Sequence, residues 1–376
     1  MRNARLIIIV TWVFEIVACV KPYQPDVIKA QNNFLVVDGI INCAPNSETT
    51  ITLTRTRSLN DTVTSLPERF AQLTIEGTAG EVYPLLEQEG GIYKSAPLYL
   101  QATRRYRLKI STVSGAEFAS DYTQPTITPP IDSLNWKQES NNITILVSTH
   151  DPQNNTRYYR WEYDETWAAH AAYESFLKLK DGKVTYRDSS EFTYTCYHSK
   201  PATDILQLST AQLSDDIIIQ TPLVVLPILS PKFEVRYSIN VKQFALPKEA
   251  YEYWQILKRN TQQLGSIFDA QPSQLIGNLH NLSVKDEPVI GYITAATVQQ
   301  KRLFIRQSEV IGGYHPQTGC KATIVPTDSA AYFLQDQVSA LAYFVGSGGG
   351  AVAITTKECV DCRLQSGTTQ KPDFWP

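Results

Sequence analysis

Five cysteines lie beyond residue 40, and their thiols are the most reactive groups that the sequence offers. Cys359 and Cys362 form a C-x-x-C pair, whereas Cys43, Cys196 and Cys320 stand apart. Thioredoxin-like redox sites use such a pair, but only after a strand-to-helix arrangement that the surrounding residues do not predict. A zinc site needs a second pair at ligand spacing, which the sequence lacks. We therefore predict structural disulfides among the last four cysteines, either within the C-x-x-C pair or from its members to Cys196 or Cys320.

Catalytic groups are sparse in the rest of the sequence. None of the five histidines belongs to an H-E-x-x-H motif, and the sequence has neither a G-x-S-x-G elbow nor a P-loop. Asp164 and Glu165 lie between Trp161 and Trp167, and glycosidases hold two carboxylates in such an aromatic setting. Adjacent residues of a strand point to opposite faces, so these two cannot act on one substrate together. The sequence predicts no catalytic residue, no metal ion and no cofactor.

The first 19 residues have the features of an export signal. Arg2 and Arg5 precede an apolar run over residues 6–18, which is too short to cross a bilayer and has the length of a signal-peptide core. The run ends directly before Cys19 and resembles the lipobox of bacterial lipoproteins, in which the cysteine carries the lipids. We therefore predict a signal peptide over residues 1–18, lipidation of Cys19 and a tether over residues 19–32.

Composition indicates a folded protein with a sizeable core. Of the 376 residues, 43% are hydrophobic and 19% are charged, which is usual for globular domains. The formal net charge of -3 is spread along the chain without a basic block, so we expect no nucleic-acid partner. The 20 tyrosines favour strands over helices.

Alternating apolar and polar residues predict strands in two modules. Over residues 33–124 short alternating segments, such as that around Ile51 and Leu53, are separated by glycines, which predicts an N-terminal β-sandwich. A Pro-rich stretch over residues 125–132 follows, and we expect it to be an extended, stiff linker. Residues 133–376 then form a second β-rich domain that ends in a cysteine-containing segment.

One amphipathic helix interrupts the second domain. Residues 248–264 lack Gly and Pro, follow Pro247, and carry apolar side chains at helical spacing, among them Tyr253 and Trp254. Tyr159, Trp161 and Tyr163 alternate along a predicted strand, and we expect them to be core residues rather than a ligand platform. The predicted fold is thus mainly β, with two sandwich modules of the immunoglobulin or fibronectin kind, the second carrying the helix.

Several short motifs carry a family resemblance that extends over nearly the whole chain after Cys19. They lie at residues 35–39, 163–167, 251–254, 265–269, 271–273, 277–278, 289–292, 301–302, 359–363 and 371–375. Taken together they resemble a Bacteroidota lipoprotein family known as domain of unknown function 4249. The resemblance implies a cell-envelope lipoprotein that works beside a TonB-dependent outer-membrane receptor, and it supplies no catalytic residues. The residues after Cys19 lack the acidic stretch typical of surface export in that phylum, yet we favour a surface-exposed position over a periplasmic one.

Two functions follow as hypotheses from these observations. The first is an outer-membrane lipoprotein that acts as a non-catalytic accessory or binding protein for a TonB-dependent receptor. The alternative is a secreted hydrolase acting on glycans or peptides, which needs a deep cleft with converging acids, or a serine or cysteine beside a histidine.

The lipobox generates the first testable prediction. Several acyl chains on one cysteine hold a protein on a membrane stably, so Cys19→Ala should move the protein from the membrane fraction to the soluble fraction. Fractionation of cells followed by immunoblotting measures this shift, with the unchanged protein as control. A Cys19→Ala protein that still sediments with membranes contradicts the prediction.

Overall fold

The structure is a computed structural model, and it describes residues 33–57, 66–262, 275–314, 316, 319–334, 339–346 and 349–376. The predicted signal peptide over residues 1–18, Cys19 and the predicted tether over residues 19–32 lie outside the described residues. Among the described residues, no helix is long and apolar enough to cross a membrane. The described part is mainly β, as the sequence predicts.

The first module is one sheet of nine strands in the order β17-β7-β6-β3-β4-β5-β2-β1-β18. Its strands are β1 (Leu35–Asn42), β2 (Thr50–Arg55), β3 (Gln72–Gly77), β4 (Val82–Glu87), β5 (Ile92–Ser95), β6 (Tyr106–Ser111), β7 (Glu117–Ser120), β17 (Leu279–Asn281) and β18 (Ala295–Ala296). Leu35 in β1, Leu73 in β3 and Phe118 in β7 are all buried in one core. Because these strands are far apart in the sheet order, the sheet must curl so that its faces oppose each other, as in a sandwich.

Two strands of the first sheet come from late in the chain. β17 pairs with β7, and β18 pairs in parallel with β1, where Ile41 lies opposite Ala295. In the segment that connects β17 to β18, the Ile290 carbonyl oxygen accepts a hydrogen bond from the Val37 amide of β1 at 2.8 Å. The sequence predicts a second domain over all of residues 133–376, whereas in the structure part of that range belongs to the first sheet. Parallel pairing between distant segments leaves no local sequence signal.

The second module consists of two sheets packed face to face. The five-stranded sheet has the order β13-β10-β16-β19, with β14 also paired to β10, and the three-stranded sheet has the order β15-β9-β8. The strands are β8 (Ile131–Glu139), β9 (Asn142–Asp151), β10 (Tyr158–His170), β13 (Thr195–Pro201), β14 (Leu206–Ser209), β15 (Asp216–Pro227), β16 (Arg236–Ala245) and β19 (Gln299–Arg306). Both sheets contribute side chains to a single core, in which Tyr159, Trp161 and Tyr163 are buried, as the sequence predicts.

The Pro-rich segment is fastened to both modules. β8 begins at Ile131, inside the predicted linker. The Thr126 hydroxyl lies 3.0 Å from the carbonyl oxygen of Ala245 in β16 and 3.1 Å from that of Ala295 in β18, and it can donate a hydrogen bond to either. The hydrogen bonds of this segment join the two modules instead of holding them apart.

Helix α1 (Lys248–Gln262) is the predicted amphipathic helix, and its predicted last residues, 263 and 264, lie outside the described residues. It begins directly after Pro247, whose carbonyl oxygen accepts from the Tyr251 amide at 3.1 Å. Ala250, Tyr253 and Trp254 form its buried face. They pack with Phe244 of β16 and with Ile40 and Ala296 of the first module, so α1 lies at the junction of the modules.

A smaller unit contains the C-terminal cysteines, and it combines an insertion between β10 and β13 with the C-terminal part of the chain. Its elements are β11 (Leu177–Lys180), β12 (Lys183–Tyr186), β20 (Thr323–Pro326), α2 (Ala330–Phe333), β21 (Ser339–Val345) and β22 (Ala351–Thr356). Disulfides join Cys196 to Cys362 and Cys320 to Cys359. The C-x-x-C pair is thus not closed on itself, because each member bonds a different distant cysteine.

The C-terminal tail returns to the second module. Trp375 is only 8% exposed, and its ring lies 5.3 Å from that of Tyr197 and 5.7 Å from that of Phe304. Phe374 is more exposed and stacks under the guanidinium of Arg302 at 3.6 Å. These contacts fix the end of the chain on the outer face of the five-stranded sheet.

The return of the chain to β1 generates the second prediction. A Cβ atom at Gly291 would lie 2.2 Å from the Val37 carbonyl oxygen, and the φ angle of +144° is one that side chains rarely adopt. Gly291→Ala should therefore lower the free energy of unfolding by about 2–4 kcal/mol, measured by denaturant unfolding. Gly350→Ala is the matched control, because no described atom lies within 4 Å of its Cβ position. Equal stability of the two variants contradicts the assigned packing.

Candidate functional site

A cleft of about 720 Å³ opens where the first module, the five-stranded sheet and α1 meet. Val37 and Asp38 of β1 form one wall, and the chain around Ile205 forms another. Side chains of α1, including Tyr253 and Trp254, complete the lining. Because both modules and α1 contribute to it, this cleft exists only in the assembled tertiary structure.

Strand β10 supplies the charged floor of the cleft through simple alternation. Tyr159, Trp161 and Tyr163 point into the sandwich core, so the three residues that alternate with them along β10 point to the opposite face. Those residues are Arg160, Glu162 and Asp164, and all three line the cleft. Core packing on one face of β10 thus fixes the positions of three charged groups on the other face.

Arg160 is the most constrained of these groups. It is 7% exposed, one of its Nη atoms lies 2.7 Å from the Glu162 carboxylate, and its guanidinium sits 3.6 Å above the Trp254 ring. Cation–π contacts of this kind are worth about 2 kcal/mol when the cation is shielded from water. The helix α1 is therefore fastened to the sheet by a charged contact as well as by apolar packing.

Glu162 lies at the centre of the charged floor. Burial among protein atoms raises the pKa of its carboxyl above the ordinary value, the Arg160 guanidinium opposes that rise, and the negative charge of Asp38 adds to it. The side chain keeps 40% exposure because the cleft stays open above it. Asp164 is engaged separately, since its carboxylate lies 3.0 Å from the Lys242 ammonium of β16.

A second, smaller cavity of about 310 Å³ adjoins the cleft and shares Asp38, Glu162 and Lys242 with it. It adds Glu48 to the acidic lining. Within the described residues, neither Asp38 nor Asp204 takes part in an ion pair, although both line the larger cleft. The acidic groups of the cleft therefore outnumber the cations that could neutralise them.

The carboxylates that the sequence analysis considered, Asp164 and Glu165, do lie on opposite faces of β10. Asp164 lines the cleft, whereas Glu165 is buried and accepts from the Tyr237 hydroxyl at 2.7 Å and from the Lys232 ammonium at 2.6 Å. Sequence reasoning missed Arg160 and Glu162. Arg160 and Glu162 could be recognised only by the alternation of charged residues with aromatic core residues along β10. The same alternation occurs in any strand with one solvent-facing side, so it does not indicate a site.

The four cysteines of the predicted disulfides lie away from the cleft. The two disulfides belong to the C-terminal unit and the neighbouring end of β13, and Cys19 lies outside the described residues. Cys43 is buried without a disulfide, and burial raises the pKa of its thiol to about 12, so it is a poor nucleophile at neutral pH. Over the ranges that the structure describes, no three His, Cys, Asp or Glu side chains are placed to hold a metal ion.

Several motifs of the family resemblance meet at the cleft. The motifs at residues 35–39, 163–167, 251–254 and 289–292 each contribute lining residues, among them Asp38, Asp164, Trp254 and Gly291. Some of these residues have structural roles, since Gly291 permits the close approach to β1 described above. Four of the family motifs, which are far apart in sequence, thus form part of the lining of the same cleft.

Fold and cleft together define a mainly β protein with an open, charged cleft between two modules. The chain belongs to the family described as domain of unknown function DUF4249, whose family model matches residues 20–302. The match covers both modules, α1 and the cleft, and it ends before the C-terminal cysteines. No curated protein matches the chain.

Two solved structures show a distant likeness to this chain. The adhesin InvE of Yersinia pseudotuberculosis is 14% identical with a TM-score of 0.16, and the match covers 57% of each chain. A protein from Bacteroides uniformis whose description names carbohydrate binding is 10% identical with a TM-score of 0.14, over 57% of this chain and 90% of that one. The chain thus spans little more than half the length of the adhesin, and these low scores carry no argument about function.

The packing of α1 generates the third prediction. Trp254 is 8% exposed and contacts Arg160, so Trp254→Ala should leave a cavity and lower the free energy of unfolding by roughly 3–5 kcal/mol. Tyr99→Ala is a control at an exposed aromatic residue, for which we expect a change within about 0.5 kcal/mol. Both are measured by thermal or denaturant unfolding. A Trp254→Ala protein that melts like the unchanged protein would falsify the assigned packing.

Proposed function

We propose that this protein is a Bacteroidota outer-membrane lipoprotein, anchored through Cys19, that acts as a non-catalytic accessory or binding protein for a TonB-dependent receptor. The observation that carries the binding role is the cleft built jointly by the two modules and α1. Its volume falls within the range of about 300–1,000 Å³ usual for ligand sites. The anchor and the receptor rest on the lipobox and on the resemblance of the motifs.

The construction of the cleft supports binding by a largely preformed site. Thr126 joins the two modules through its hydrogen bonds, and β18 completes the first sheet. Separation of the cleft walls would therefore break the hydrogen bonds of the Thr126 hydroxyl. A preformed site loses little conformational entropy when a ligand enters, which favours affinity.

The charged groups of the cleft are consistent with the binding of a ligand. Glu162 is held by Arg160 and Asp164 by Lys242, so two of the cleft carboxylates are engaged in ion pairs. Asp38 and Asp204 lie at the rim as exposed groups, where they can meet a ligand without prior loss of a partner.

A secreted hydrolase remains the second candidate, and one observation favours it. Glu162 has a raised pKa and lies near the negative charge of Asp38, an arrangement in which one carboxyl can stay protonated as a general acid. Hydrolysis of a glycan or peptide that is lost in Glu162→Gln and retained in Glu165→Gln would support this alternative. No turnover by the unchanged protein would remove it.

Co-purification tests the proposed partnership and is the fourth prediction. Affinity-tagged protein, extracted from membranes with mild detergent, should recover a β-barrel receptor that mass spectrometry identifies. An unrelated tagged lipoprotein from the same membranes is the control for unspecific capture. Recovery of the tagged protein alone contradicts the partnership.

Surface exposure is part of the same proposal. Protease added to intact cells should digest the anchored protein, while a periplasmic marker stays intact. Protection of the protein until the outer membrane is broken would place it in the periplasm and would leave the binding role to be tested there.

A further inference from the structure

A second cavity, of about 750 Å³, lies beside a different face of α1 from the cleft. Tyr251 and Gln255, which are one helical turn apart on α1, form one of its walls. Tyr158 at the start of β10, the end of β14 and the first half of β15 form the others, together with the loop that connects β14 to β15. The cavity is therefore built by the second module and α1, and it shares no lining residue with the cleft.

The lining of this cavity is uncharged. None of the thirteen described residues that form it is an Asp, Glu, Lys, Arg or His, and seven of them carry a hydroxyl or a side-chain amide. The amides of Gln212 and Gln255 and the hydroxyl of Thr221 make no hydrogen bond to another described atom, so they remain available to a ligand. A charged ligand would lose hydration here without gaining an opposite charge. The lining therefore favours a neutral ligand with several hydrogen-bonding groups.

The loop that carries Gln212 is held in place from outside the cavity. The Arg157 guanidinium lies within reach of two carbonyl oxygens of the loop, at 3.2 and 3.3 Å, and can donate to both. At the end of the loop, the buried Asp216 carboxylate accepts a hydrogen bond from the Thr210 hydroxyl. Neither Arg157 nor Asp216 lines the cavity. The charged groups of this region thus fix the loop, and a fixed loop loses little entropy when a ligand binds.

Apolar groups lie next to these hydrogen-bonding groups. The rings of Tyr158 and Tyr251 are half-buried, with centroids 5.0 Å apart and planes tilted by 40°. Ile217 and Ile219 of β15 are 47% and 73% exposed and also line the cavity. Apolar and aromatic walls with a few polar groups are usual for small-ligand sites. A sugar ring matches this mixture, because its C–H groups give it apolar faces while its hydroxyls both donate and accept hydrogen bonds.

An extended peptide is the competing occupant, since β15 is an edge strand of its sheet. Strand addition needs a regular row of free backbone donors and acceptors. Beside the cavity that row is interrupted by a shift of register between Ile218 and Thr221, by the positive φ of 46° at Gln220, and by Pro222, which has no N–H. Bulges and prolines are features by which edge strands avoid pairing. The backbone of β15 therefore disfavours a peptide, whereas the side chains around the cavity favour a glycan.

We propose that this cavity binds a neutral glycan chain. Gln212 and Gln255 form hydrogen bonds to its hydroxyl groups, and the apolar face of a sugar ring packs against Tyr251 and Ile217. The site lies apart from the cleft that carries the proposed function. It is therefore a further binding function, which depends neither on the receptor nor on the lipid anchor.

A glycan array that displays neutral, sialylated, sulfated and uronic acid-containing chains tests the proposal with the purified protein. The protein should bind neutral chains, and titration calorimetry then measures the affinity for the neutral chain that binds most tightly. Gln212→Ala and Gln255→Ala should each weaken its binding about threefold to tenfold, because each removes hydrogen bonds between uncharged groups. An increase of about tenfold in salt concentration should change the affinity by less than about twofold, because no charge is involved.

Gln101→Ala is the matched control, because Gln101 is also an exposed glutamine and lies outside the cavity. This variant should bind the glycan like the unchanged protein. All three glutamine variants should also keep its melting temperature, because the replaced side chains are exposed.

Three results overturn the proposal: no neutral glycan on the array binds, only charged glycans bind, or both cavity variants bind like the unchanged protein. The uncharged peptide acetyl-Thr-Val-Thr-Val-Thr-amide tests the competing occupant, and calorimetric binding of this peptide that is lost in Gln212→Ala and Gln255→Ala also overturns it. Asp38→Asn in the cleft separates the two sites. Glycan binding that persists in Asp38→Asn and weakens in the cavity variants supports the proposal, whereas the reverse pattern assigns the glycan to the cleft and overturns it.

Discussion

One buried amide, that of Gln243, holds the second module and its entry segment in register. The side chain is fully buried, accepts from the Trp161 indole at 2.8 Å, and donates at 2.9 Å both to the Pro129 carbonyl oxygen and to the Thr149 hydroxyl. It thereby joins the facing sheets of the sandwich to the Pro-rich segment. A buried amide that loses any one partner costs about 1–3 kcal/mol, so only one relative placement of these elements satisfies it. The positions of β10, of the cleft floor and of α1 all depend on that placement.

The cleft is a consequence of how the modules are joined. The outer face of the five-stranded sheet meets the first module along β1, β18 and the segment around Thr126, while α1 covers a neighbouring part of the same face. The uncovered strip of β10 carries Glu162 and Asp164, which would be costly to bury completely, whereas the neighbouring Arg160 is buried against Trp254. Their ion pairs and the Arg160–Trp254 contact stabilise the charges at the edge of the apolar junction. The cleft therefore stays open where this face of the sheet carries charged side chains.

The disulfides stabilise a part of the chain that has little core of its own. The C-terminal unit contains short strands around a small cluster that includes Leu177, Val325 and Leu341, and two crosslinks fasten it to the end of β13 and to itself. Crosslinks that close long loops stabilise mainly by restricting the unfolded chain. Because Cys359 bonds Cys320 and Cys362 bonds Cys196, the C-terminal segment is joined both to its own unit and to β13. A bond between Cys359 and Cys362 would join it to neither.

Local sequence determined the elements, and tertiary structure determined the site. The alternation of apolar and polar residues predicted β10 with its buried Tyr159 and Trp161, and helical spacing predicted α1 after Pro247, because neighbouring residues carry both signals. The number of cysteines limited the disulfides to a few pairings. Other features depend on contacts between residues that are far apart in sequence. They are the disulfide between Cys196 and Cys362, the return of residues 279–296 to the first sheet, and the placement of Asp38, Glu162 and Trp254 around one cleft. A single sequence holds no local pattern for such contacts. Even Asp164 and Glu165 could be assigned to opposite faces from the sequence, while only the fold decided which of them faces the cleft.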